Sequence, residues 1–100
     1  MPLEVRIEDE TGRVEGPTWW HPRSSELLCQ FGSATACLRF IDPYGDTIFN
    51  QLQLPVLIDE VQAFMEAAPD PEARSALHSL IEFLDRARDQ PHIYVRFFGD

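Results

Sequence analysis

One hundred residues make one domain, 1–100, with room for a single modest core. Apolar residues at 44% and charged residues at 25% are globular values, and they argue against a disordered chain. Seventeen Asp and Glu stand against eight basic residues, all Arg; the resulting net charge of −9 and the scatter of those Arg argue against a nucleic-acid binder, which needs a concentrated basic patch.

The absence of Lys fits GC-rich coding in a bacterial genome. "MPLEVRIEDE" has neither the basic nor the apolar region of a signal peptide, and no window approaches the length of a membrane span. The expected location is therefore the cytoplasm, without membrane attachment. Cys29 and Cys37 are expected there as buried, reduced thiols.

Residues 3–9 alternate Leu3, Val5 and Ile7 with charged neighbours, the pattern of a half-buried strand. "DETG" offers a turn and "RVEG" a short return strand. Gly16, Pro17 and Pro22 interrupt "GPTWWHPRSS". "SSELLCQFG" reads as a short helix capped by Ser24 and stopped by Gly32, with a loop or a strand as alternatives.

"LRFIDPYGDTIFNQLQLP" reads as a β-hairpin. Pro43 supplies the fixed φ of a type I turn, Gly45 the left-handed residue that closes it, and Asp42 a carboxylate for nearby backbone N–H groups. That register pairs Phe40 with Ile48, Leu38 with Asn50 and Ala36 with Leu52. Pro55 then opens a helix striped by Leu57, Val61, Phe64, Met65 and Ala68. Asp70 caps a second helix that starts at Pro71, carries Ala73, Leu77, Leu80, Ile81, Leu84 and Ala87 on one face, and stops before "QP". "HIYVRFFG" closes the chain as a strand with Ile93, Val95 and Phe97 on one face and Tyr94, Arg96 and Phe98 on the other.

A helical hairpin returns the chain to the end of the sheet it left, so the last strand runs antiparallel to the 46–53 strand. The expected fold is α+β: a two-layer sandwich with an antiparallel sheet of four or five strands and a helical hairpin on one face. Leu38, Phe40, Ile48, Leu52, Ile93, Val95 and Phe97 point inward.

The bare face is then expected to show Cys37, Arg39, Ile41, Phe49, Gln51, Tyr94, Arg96 and Phe98. Aromatics and Arg enrich at protein interfaces, so Arg39, Phe49, Gln51, Tyr94, Arg96 and Phe98 are the candidate partner-binding residues. The competing expectation is that residues 16–34 fold over this face. The function this implies is a small acidic, non-enzymatic protein-interaction module, a homodimer through the open face. An acidic inhibitor or immunity-type protein that blocks a basic partner belongs to the same class. The alternative is a small-molecule binder or minor enzyme with a pocket at Trp19, Trp20, His21 and Arg23; structurally, one Trp would plug the core and the other shield an edge strand.

Asp42 and Asp46 fall short of a calcium loop, and His21, His78 and His92 have no zinc spacing. The residues offer no glycine-rich phosphate loop, no nucleophile elbow and no catalytic candidate. No cofactor and no metal are expected. The hairpin block "RFIDPYGDTIFN", followed by a helical hairpin and "HIYVRFFGD", resembles short uncharacterised bacterial α+β proteins with a similar block. The resemblance implies bacterial origin and a compact αβ domain, and transfers no activity and no site residues.

Overall fold

The computed structural model describes residues 3–29, 35–68 and 70–99. Four strands form one antiparallel sheet in the order β2-β1-β4-β3: β1 is Glu4–Asp9, β2 Trp19–Trp20, β3 Asp46–Phe49 and β4 Ile93–Phe98. Helices α2 (Leu54–Ala67) and α3 (Pro71–Arg88) pack as a hairpin, giving the expected α+β architecture. A short helix α1, Ser24–Leu28, follows β2.

Local chemistry places the helices where the sequence puts them. Asp70 caps α3, its carboxylate accepting from the Glu72 N–H at 2.9 Å, with Pro71 as the first helical residue. Leu77, Leu80, Leu84 and Ala87 are buried as expected, joined by Ala76 and Phe83. Helix α2 begins one residue before Pro55, and Leu57 and Val61 of its stripe are fully buried. The central strands β1 and β4 pair over six residues, and Val5, Ile7, Ile93, Val95 and Phe97 enter the same core as the helices.

The expected hairpin at 36–53 does not form. Leu38–Phe40 is a 3₁₀ turn, and β3 pairs with β4 instead. Glu60, on α2, is the cause: its carboxylate accepts from the N–H groups of Ala36, Cys37 and Leu38, curling that segment into a turn. The phase of β3 shifts with it. Phe49, opposite Val95, enters the core and meets Phe97 edge-to-face at 5.7 Å, while Ile48 faces out. Phe40 and Leu52, expected inside, are exposed; Leu38 is buried.

The "DPYGD" segment is a bend held by its own side chains. Asp42 accepts from the Tyr44 N–H at 2.8 Å, and Gly45 N–H reaches Asp42 O. Gly45 has no positive φ, contrary to expectation; among the described glycines Gly12 and Gly16 do. Ser24 is a core residue rather than a cap: Arg23 holds the cap position, and the Ser24 hydroxyl donates to Leu3 O. The expected stop at Gly32 lies outside the described residues.

Candidate functional site

Strand alternation sets the site. With Val5 and Ile7 turned toward the helices, Glu4, Arg6 and Glu8 turn away, and in β4 Tyr94, Arg96 and Phe98 do the same. Register then aligns them across strands. One row runs Trp20, Glu4, Phe98, Asp46; the next runs Arg6, Arg96, Ile48; Glu8 pairs with Tyr94.

Arg6 and Arg96 stand directly opposite each other, a like-charge pair that is unfavourable by itself. Two features relieve it. Both guanidiniums lie over the Phe98 ring, Arg6 at 4.1 Å and Arg96 at 5.3 Å from its centroid. Each Arg also has carboxylates: Arg6 reaches Glu4 at 3.4 Å, and Arg96 bridges three strands, donating to Glu8 and Asp46 at 3.1 Å each. Glu8 is only 5% exposed although it lies on the open face, and Arg96 is its ion-pair partner there. Trp20, at 53% exposure, and Tyr94 and Ile48 are the exposed apolar groups around this network.

Of the six residues expected to form the partner surface, Tyr94, Arg96 and Phe98 lie on it. Phe49 does not: at 2% exposure it is part of the core, because β3 pairs in the other phase. Arg39 is exposed but sits on the 3₁₀ turn, stacked over Phe40. Gln51 belongs to the 50–53 turn and reaches Arg88 O. Cys37 and Ile41 are buried. Glu4, Arg6, Glu8, Trp20, Asp46 and Ile48 complete the face and were not foreseen. The alternation of "LEVRIED" already separated Glu4, Arg6 and Glu8 from the core residues; the missing information was that β1 lies beside β4.

The described part of 16–34 does not cover the face. It adds β2 to the sheet edge and sends Leu27 and Leu28 of α1 into the main core. Trp19 is buried with its indole N–H on Ser79 Oγ, and Trp20 points the opposite way. His21 Nδ1 accepts from the Arg23 N–H, and Arg23 pairs with Glu26, Asp70 and Glu72. The four residues of the alternative pocket therefore do not converge.

Asp42 is occupied by its own turn and Asp46 by Arg96. Among the described residues no group of three His, Cys, Asp or Glu side chains could hold a metal ion, and no helix is long and apolar enough to cross a membrane. Burial pushes both thiols up, with Asp42 adding to the effect at Cys29 and Glu60 at Cys37. No family model matches the chain, and no curated protein or solved structure is found to be similar to it.

Proposed function

We propose that this chain is a non-enzymatic protein-interaction module that self-associates through the open face of its sheet. The observation that carries the reading is the composition of that face: Trp20, Tyr94 and Phe98 with Arg6 and Arg96, the residue types that concentrate in protein interfaces, on a side where water alone would favour small polar groups.

Charge points to a second copy as the occupant. The paired strands of the face carry three carboxylates and two guanidiniums, with Glu10 at the rim beside Tyr94 and Arg96, so most of the chain's −9 lies elsewhere. Two copies meeting here avoid most of their mutual repulsion. A strongly basic partner fits less well, since Glu4, Glu8 and Asp46 are already paired with Arg6 and Arg96.

Sedimentation velocity from micromolar to near-millimolar concentration tests the reading, comparing the wild type with a double variant, Trp20→Ser with Tyr94→Ser. The wild-type mass is expected to rise with concentration, less so at high salt. The variant, with an unchanged far-UV spectrum, assembles to a smaller species. A wild type that stays monomeric throughout, or a variant that assembles equally, refutes it.

A further inference from the structure

The open face is small. Four strands spaced about 4.8 Å apart and at most six residues long at about 3.3 Å each make a surface of roughly 20 by 20 Å, on the order of 400 Å². A standard interface takes about 800 Å² from each partner. Face contact alone therefore gives a weak dimer, and a stable assembly of this kind needs a second contact.

The edge of β3 offers one. Gly99 N–H donates to Gly45 O at 2.7 Å, continuing the β3–β4 ladder beyond the Asp46–Phe98 pair. Ladder alternation then turns the Gly45 carbonyl and the backbone groups of Thr47 and Phe49 toward β4, and those of Asp46 and Ile48 away from it. Among the described residues nothing bonds to these outward groups. The segment that the hairpin pattern assigned to this edge, residues 36–41, is held elsewhere: Phe40 O and Asp42 N–H engage the side-chain hydroxyl of Thr47 rather than the β3 backbone.

Apolar exposure is concentrated in the stretch of chain that contains β3. Five of the eight large exposed hydrophobic residues among those described, Phe40, Tyr44, Ile48, Leu52 and Val56, fall between 40 and 56. "DTIF" has no Lys, Pro or bulge, and its only edge protections are its length of four residues and the Asp46 carboxylate, which Arg96 of the same chain neutralises.

We propose that two copies pair antiparallel through their β3 edges, Asp46 opposite Ile48 of the second copy and Thr47 opposite Thr47. This register uses the outward N–H and C=O groups of Asp46 and Ile48 on both copies and sets no like charges opposite each other. Asp46 is already neutralised by Arg96 of its own chain. The product is an eight-stranded sheet whose two open faces lie side by side, doubling the area available to the face contact. The inference rests on the reading of the chain as a self-associating module, and it makes the full assembly a pair of edge-joined dimers packed face to face.

The test is Ile48→Pro. It deletes a donor that β4 does not use, so the internal ladder is retained while the edge is blocked. Ile48→Thr keeps the donor and shortens the side chain. In sedimentation velocity the wild type is expected to reach a tetramer and Ile48→Thr to follow it, while Ile48→Pro stops at a dimer or below. The face double variant Trp20→Ser with Tyr94→Ser stops at the edge dimer. Amide exchange on the unmodified chain gives a readout that needs no substitution: Ile48 N–H exchanges fast in dilute solution and slows as concentration rises, whereas Thr47 and Phe49 stay protected throughout. An Ile48→Pro variant that assembles like the wild type, an Ile48→Thr variant that fails equally, or an Ile48 amide indifferent to concentration overturns the edge contact and leaves the face reading intact. A wild type monomeric at every concentration removes both.

Discussion

Gly99 lies so close to Asp42 that a methyl group on its Cα would stand 2.5 Å from the Asp42 carbonyl oxygen, and equally close to the Pro43 carbonyl carbon. The contact joins the end of β4 to the "DPYGD" bend, and the Gly99 N–H bond to Gly45 O fastens it. This is the reason for a glycine at a position where no positive φ requires one.

Gly99→Ala is therefore expected to pry the bend away from β4. Both obstructing groups are backbone, which cannot rotate aside, so the overpacking cost is about 1–3 kcal/mol. In a domain of this size each kcal/mol lowers the melting temperature by roughly 4–8 °C. A melting curve identical to the wild type would show that the bend gives way freely.

Glu60 governs the other departure from the hairpin pattern. One carboxylate accepts three successive N–H groups, from Ala36, Cys37 and Leu38, and ties the 3₁₀ turn to α2. Glu60→Gln puts an NH₂ group among those donors, leaving at least one N–H unsatisfied. The expected loss is about 1–3 kcal/mol, with faster amide exchange at 36–38 and little change in β1 or β4. Unchanged exchange at those three amides contradicts this role for the carboxylate.

These two long-range contacts mark the boundary of what the residues disclosed by themselves. The helices were legible because their signals are local: the Leu77–Leu80–Leu84 spacing, Asp70 ahead of Pro71, Pro55 near a helix start. So were β1, whose alternation is strict, and β4, where Arg96 sets the phase of Ile93, Val95 and Phe97. Residues 36–41 are apolar except for Arg39 and suit a strand as well as a turn, and the group that bends them sits more than twenty residues downstream. In β3 both Ile48 and Phe49 are apolar, so alternation could not decide which points inward; the packing of Phe49 on Phe97 decides it. Three of the six expected face residues survive for the same reason: those on β4 had an unambiguous phase and those between 37 and 51 did not.

Acid should weaken the fold through three carboxylates. Asp70 is held below the usual carboxylate range chiefly by the Arg23 side chain and then by the Glu72 N–H; Glu26 is lowered by Arg23, and Asp9 by the Thr11 hydroxyl and the Arg13 N–H. A carboxylate with a depressed folded pKa binds protons less readily than in the unfolded chain. Its contribution is complete above the unfolded value near pH 4 and is lost as pH falls through the folded one. Denaturant midpoints measured from pH 5 downward should fall, and Arg23→Gln should flatten that fall. Glu26 is exposed and Asp9 and Asp70 are half-buried, so the Arg23-dependent part is screened by salt, whereas the Asp9 part, made by hydrogen bonds, resists it. An acid limb as steep in Arg23→Gln as in the wild type would assign the effect to other groups.

His92 is the one described non-glycine residue with a positive φ, 59°, directly after Pro91 at the entrance to β4. A left-handed backbone is costly for a side chain with a Cβ, by about 1–2 kcal/mol, and a proline followed by such a residue is the pattern of a type II turn, where glycine is preferred. The compensation visible at this position is the approach of Nδ1 to Glu10 at 3.4 Å, a pair exposed on both sides and therefore weak. His92→Gly removes the strain and the pair together, while adding flexibility to the unfolded chain worth roughly 0.5–1 kcal/mol. The strain relief is the largest of the three, so a small rise in melting temperature is expected. His92→Ala, which keeps a Cβ and drops the imidazole, should show no such rise. If His92→Ala stabilises as much as His92→Gly, the imidazole rather than the backbone carries the cost, and the turn is unstrained as it stands.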